Sequence, residues 1–398
     1  MTLPSPEVIT TARRRIVLAP FGRHTRYMLS GYLRNVFTVL SILLAIALTI
    51  DLWPQFQTVA AHGSSGLLAF WSVVRFAGLR APGLIAPLLP FATFIGVVWT
   101  EVAHTQSGER MLVWNSGRAP LDCLTPALIL GLLLGAADFT MDAFLGPASM
   151  GIQMHERLGR DGEALDRGTL SKPAWIALPD GLLKASIQFG PPPVLHDLAV
   201  FRRDADGRLL EVDTAPIALL DADSGLWRLS NGQYWQATNT QAPRVAFGGA
   251  TRQTMIPFQQ RDVALSLNPL WLSWYNLVPQ YIPLSVLHRL AHSDDIPDPH
   301  GQYATRYYVV IAEAFLPTGM ALLAASLAML FLAYGTSAPA LIGIVFAGYT
   351  AHFAIKAGLI LGQNGFIPPL LAGFTVPVLL FAATAAVLAI CARQARGR

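Results

Sequence analysis

A few residues in this chain have the types and spacings that chemistry requires. Asp138 and Asp142 stand one helical turn apart, and paired carboxylates can serve as general acid and base. His352 and Lys356 are also one turn apart, in the run Tyr349-Thr350-Ala351-His352-Phe353-Ala354-Ile355-Lys356. The runs Asp204-Ala205-Asp206-Gly207 and Asp221-Ala222-Asp223-Ser224-Gly225 are like fragments of a calcium loop. Each lacks the remaining ligands and the closing glutamate, so hairpin turns account for them better. No G-x-x-x-x-G-K-[ST] and no G-x-S-x-G occurs, and His155-Glu156 lacks the second histidine of H-E-x-x-H. The chain therefore binds no ATP through a Walker loop and carries no hydrolase elbow.

The elements that position these residues are set by composition. The 398 residues are 53% hydrophobic and 13% charged, about half the charge usual in soluble proteins, and mean hydropathy is +0.45. This is the composition of an integral membrane protein. The net charge of +4 does not point to nucleic acid, because the basic residues gather at the chain ends rather than on one face. Arg13, Arg14, Arg15, Arg23 and Arg26 lead the chain, and Arg393, Arg396 and Arg398 close it. Positive-inside anchoring accounts for both ends and places them in the cytoplasm. Cys123 and Cys391 then fall at cytoplasmic span ends, which argues against a structural disulfide.

About six spans are expected, at roughly 32–53, 82–102, 121–145, 307–331, 338–361 and 368–390. Pro87 and Pro90 predict a kinked second span, preceded by an amphipathic stretch that carries Arg75 and Arg80. Asp138 and Asp142, near the outer end of the third span, read better as markers of the membrane boundary than as a catalytic pair. Lys356 falls inside the fifth span, whereas the other two lysines, Lys172 and Lys184, lie in the polar middle. An intramembrane cation costs about 2.5–3.5 kcal/mol, so it should face a partner or a cavity. Two readings follow: contact with an anionic lipid headgroup, or snorkelling to the outer interface near Leu361.

Between the third and fourth spans the sequence turns polar. Trp175 to Leu178, Pro179-Asp180-Gly181, then Leu182 to Phe189 reads as a hairpin. Further turns are expected at Asp204–Gly207, Asp221–Gly225 and Asn231-Gly232. Short strands at this pace predict an all-β sandwich or jelly roll, followed by a helical connector at roughly 270–292. The chain thus divides into a basic leader (1–27), three spans (28–146), the β domain (147–268), the connector (269–302), three more spans (303–392) and a basic tail (393–398). A short cytoplasmic helix at roughly 105–118 lies between the second and third spans. There Ser107 can cap the first turn, Glu109 suits the positive end of the helix dipole, and Gly117 can end the helix.

In this layout several stretches resemble one family. Arg80-Ala81-Pro82 through Leu89-Pro90 to Gly96 is similar to its second-span pattern. Ser107-Gly108-Glu109-Arg110-Met111 to Gly117 is similar to its coupling helix, with Arg110 where the family has leucine and Ser116-Gly117 in place of Ala-Gly. Trp175 and Gly225-Leu226-Trp227-Arg228-Leu229 echo its tryptophan-bearing strands, and Leu361 to Pro369 with Pro377 its last loop and span. The chain resembles the lipopolysaccharide export permeases LptF/LptG (the YjgP/YjgQ family), and Asp51-Leu52-Trp53 leans towards LptG.

The resemblance implies the transmembrane half of an ABC-type exporter in the bacterial inner membrane, with the β domain in the periplasm as a jelly roll. It implies a paralogous half-permease, an LptB-like ATPase dimer that alone binds ATP and magnesium, and LptC-like and LptA-like jelly-roll partners. No cofactor is expected on this chain, nor any metal or catalytic residue. By carry-over Glu109, Arg110 and Gly117 would serve ATPase coupling. Lys356, His352, Arg75 and Arg80 would hold lipopolysaccharide. Two rival classes make different predictions. A lipid-modifying enzyme using Asp138, Asp142 or His352 would alter a lipid without nucleotide, and a non-transporting scaffold would be indifferent to ATPase depletion.

Overall fold

Apolar runs punctuated by proline account for most of the helices in the computed structural model. It describes residues 22–61, 66–115, 120–164, 169–190, 192–237, 255–293, 295–297, 301–333 and 335–396. Helix α1 (Arg23–Leu52) passes through a 3-10 turn at Pro54 into α2 (Phe56–Ala61). Helix α3 (Gly66–Ile85) runs through a second 3-10 turn, Ala86–Leu88, into α4 (Leu89–Gln106). Pro87 and Pro90 sit in the first turns of the pieces they begin, where a missing N–H costs nothing. At these prolines the α-helix is interrupted by the 3-10 turn. The amphipathic stretch runs on into the second span, in a continuous helical stretch of 41 residues from Gly66 to Gln106.

Helices α5 (Glu109–Asn115) and α6 (Pro120–Thr140) follow. The third span then makes a π-helical turn at Met141–Leu145 before α7 (Gly146–His155) and α8 (Gly159–Ala164). A π turn inserts one extra residue per turn and is uncommon outside functional sites.

Six strands come next: β1 (Ala174–Leu178), β2 (Gly181–Gln188), β3 (Val194–Arg203), β4 (Leu209–Leu220), β5 (Trp227–Gln236) and β6 (Ile256–Val263). They form one antiparallel sheet in chain order. The expected hairpin pairs Leu178 with Gly181. Asp204 accepts from the amides of Asp206 and Arg208, and Asp221 accepts from that of Asp223, so both aspartate runs are turns. Asn231-Gly232 is not a turn. It lies inside β5 with Asn231 at φ 54°, at a break in the β4–β5 pairing between Thr214 and Ile217. Pro216 lies in that gap and has no N–H to give the ladder, which favours an irregularity over a reversal.

One face of the sheet is filled by the connector. Asn268 caps α9 (Pro269–Ser273) by accepting from the amides of Leu270 and Trp271, and α10 (Leu284–Ala291) follows. Trp271, Leu272, Ile282, Leu287 and Leu290 share a core with Leu183, Ile187, Leu195, Trp227 and Leu229.

The chain returns to apolar helix in α11 (Gln302–Glu313), α12 (Leu316–Phe331), α13 (Ala338–Gln363) and α14 (Pro369–Arg396). Among the described residues five helices are long and apolar enough to cross a membrane, and α11 with α12 makes six if that pair is one span. The fourth span bends by 49° between α11 and α12. Pro317, in the first turn of α12, cannot hydrogen-bond back across the break. Gly135 of α6 fits against that corner: a Cβ there would lie 2.1 Å from the Ala314 carbonyl oxygen. Neither Cys123 nor Cys391 is in a disulfide.

Candidate functional site

The helix expected to couple this chain to a partner is built on an abrupt turn. Gly108, at φ 76°, ends α4 and starts α5 at Glu109. Ser107 does not cap the new helix, because its hydroxyl donates back to the His104 carbonyl. Glu109 accepts from the Tyr27 hydroxyl at 3.0 and 3.2 Å and lies 3.0 Å from His104 Nδ1. These bonds, the His104 one foremost, hold its carboxyl below the usual carboxylate range. The side chain remains 41% exposed.

Arg110 points the other way. It is buried and ion-paired with Glu101, and it also donates to the Glu101 carbonyl at 3.1 Å. Glu101 in turn accepts from Tyr32 of α1. The guanidinium is therefore an anchor that fastens α5 to the second span, while Met111 and Leu112 face outward. Gly117 and the leader arginines Arg13, Arg14 and Arg15 lie outside the described residues.

The four residues assigned to lipid fall into two places. Arg80 donates to both oxygens of Asp51 at 2.8 and 3.1 Å, lies 3.5 Å from Asp161 and stacks over Tyr281. It joins the end of the first span to α3, α8 and the connector. Arg75, also on α3, pairs with Glu156 yet is 61% exposed. His352 and Lys356 belong to α13, with the His352 ring 5.0 Å from Phe91 and its Nδ1 buried without a hydrogen bond. Lys356 faces acids rather than open surface, and acts electrostatically on Glu313, Asp138 and Asp142.

Those acids are the main surprise relative to the sequence. Asp142 is buried and ion-paired with Arg306 of α11, and Arg306 also lies 3.5 Å from Glu313. Arg306 and Glu313 drew no attention in the linear sequence. The available signal was two charges in an apolar segment, seven residues apart and so two turns along one helix face.

Arg80→Ala is expected to lower stability by about 3 kcal/mol, since it strands Asp51 in a largely buried position. Thermal unfolding in detergent measures this, and an unchanged Tm would remove Arg80 from its joining role.

A multi-span membrane protein with an all-β domain inserted between its two helical halves is the class this architecture defines. The chain belongs to the family described as lipopolysaccharide export system permease LptF/LptG, whose model matches residues 26–390. It is accordingly a membrane subunit for lipopolysaccharide export, a multi-pass inner-membrane transporter permease rather than an enzyme. Comparison with curated proteins finds no match.

Proposed function

We propose that this chain is one half of an ABC-type permease that lifts lipopolysaccharide from the outer leaflet and passes it, through its β domain, to a periplasmic bridge. A second, paralogous half-permease completes the helical cavity. An LptB-like ATPase dimer binds ATP and magnesium, with no cofactor on this chain, and LptC-like and LptA-like proteins extend the β path. The termini lie in the cytoplasm and the β domain in the periplasm, in keeping with the basic chain ends.

The observation that carries this reading is the short helix α5, held to two spans through Glu101, His104 and Tyr27 while it presents Leu112, 69% exposed, to its surroundings. A helix held this firmly transmits a push from a partner into α1 and α4 instead of absorbing it. The proposed division of labour follows from energetics. Each buried CH₂ is worth about 0.8 kcal/mol, so a many-chained lipid leaves the bilayer too slowly without work from ATP. Acyl chains then need apolar shelter at every stage, first between helices and then within the β domain. Of the four basic residues, Arg75 has the guanidinium most open to a lipid phosphate.

Glu109→Lys tests the coupling. It places a cation beside His104 and at the positive end of the α5 dipole, so both the Tyr27 and His104 bonds fail. The expected result is loss of ATPase copurification and at least a tenfold drop in nucleotide-driven lipid release, from a difference of roughly 1.4 kcal/mol or more. Acid should act in the same direction. Glu109 has a depressed folded-state pKa, so its contribution is present at neutral pH and is lost as pH falls through that value. Normal copurification and normal release in the variant would refute the assignment.

A further inference from the structure

The charges inside the spans form one connected cluster. Arg306 donates to both carboxylate oxygens of Asp142, and its other terminal nitrogen lies 3.5 Å from Glu313 Oε1. Asp138, one turn before Asp142, is fully buried, and neither of its oxygens has a hydrogen-bond partner. Glu313 Oε2 is likewise buried without one. Lys356 of α13 acts electrostatically on both Asp138 and Glu313.

Three carboxylates facing two cations leave one negative charge unbalanced. Water cannot screen it here, and a buried ionised carboxylate with no donor is among the most costly arrangements a protein can hold. One proton resolves both faults at once. It cancels the odd charge and leaves a neutral carboxylic acid, which costs far less to bury without a partner than an ionised one.

We propose that this cluster is an intramembrane proton-binding site, with one proton held by Asp138 or Glu313, the two acids whose carboxyl oxygens lie buried without a donor. The chemistry favours a proton over a metal ion. Arg306 and Lys356 repel a further cation, and among the described residues no group of three His, Cys, Asp or Glu side chains is placed to hold a metal. Two features of the backbone converge on the same place. Asp142 lies in the π-helical turn, and Glu313 ends α11 at the 49° bend.

The other charges near α6 are occupied elsewhere. On α1, Asp51 is held by Arg80, Tyr32 by Glu101, and Arg34 lies towards Tyr27. On α4, Glu101 pairs with Arg110 and His104 with Glu109. Helix α12 has no titratable side chain. On α13 the site faces Lys356, with His352 one turn before it.

Lys356 is the one formal charge on α13, a helix that leaves Ile342, Phe346, Tyr349 and Phe353 exposed. Adding or removing the proton therefore changes how strongly α13 is drawn to α6 and α11. The site depends only on these side chains, so it stands or falls separately from the export reading.

The test uses the full chain with whatever copurifies, in lipid nanodiscs, followed by infrared spectroscopy as pH is raised from neutral. The expected result is the carbonyl band of a protonated carboxylic acid at neutral pH, shifted in heavy water. Asp138→Asn or Glu313→Gln abolishes it, whereas Asp204→Asn on the β domain leaves it in place. Asparagine copies the neutral acid in shape and charge, so Asp138→Asn should fold and keep its Tm at neutral pH. Proton linkage gives the second readout: wild-type stability is lost as pH rises through the site's titration, and the Asp138→Asn variant loses less. Absence of the band at neutral pH overturns the proposal, as does a band indifferent to both substitutions. A band present in potassium but abolished by sodium would make this a sodium site and equally overturn it.

Discussion

Arg306→Gln should leave little folded protein. The substitution removes the one guanidinium that satisfies Asp142 and faces Glu313, in a region where both acids are buried. Breaking such a pair from one side costs about 3–5 kcal/mol, because the remaining charge is neither solvated nor paired. That is a large share of the 5–15 kcal/mol by which most domains are stable. The expected observation is a collapse of the monodisperse peak in detergent and a Tm well below that of the wild-type chain. Asp142→Asn in the same chain should restore a substantial part of the loss, since it removes the stranded charge as well. A double-mutant cycle on Tm measures the coupling. If the single variant melts like wild type, the pair is not holding the third and fourth spans together.

Arg110→Leu should have a comparable effect at the other end of the bundle, with a different signature. Leucine is the residue that the family resemblance places after the coupling glutamate, so the change looks conservative. It is not, because Glu101 here has Arg110 and Tyr32 as its partners in a buried position. Removing the guanidinium leaves that carboxylate uncompensated, again at about 3–5 kcal/mol. It also cuts the tie between α5 and α4, so nucleotide-driven release should fall even though Glu109 is intact. Arg110→Leu combined with Glu101→Gln should recover stability, because the glutamine is neutral and still accepts from Tyr32. Thermal unfolding and release assays on the two single variants and the double variant check this. Release that stays normal in the single variant would show that α5 does not depend on this anchor.

The two clusters differ in how far they could be read from the chain. Glu109 was legible as a helix-start acid because capping and dipole preferences act within a turn or two. Arg110 was read with it as a coupling residue, yet one position along a helix turns the side chain by about 100°, and this one points inward. Asp138 and Asp142 were visible as a pair but not as a cluster. Their counterparts lie 164 residues away at Arg306 and beyond, and no local rule spans that distance. Lys356 stands out in the sequence because an intramembrane cation needs a partner. Which partner it has depends on the packing of α13 against α11 and α4.

The residues alone determined that this is a membrane protein of about six spans with a β domain inserted midway. Hydropathy, turn residues and proline positions act locally, and the bilayer admits few architectures. Tertiary structure decided the bend after Glu313, the break within β5 and the pairing of Asp142 with Arg306 and of Glu101 with Arg110. Each is set by what lies across the contact: a carbonyl against Gly135, a proline opposite Asn231, a carboxylate facing Arg306. Such contacts join distant parts of the chain, so they come into being only when the chain is folded.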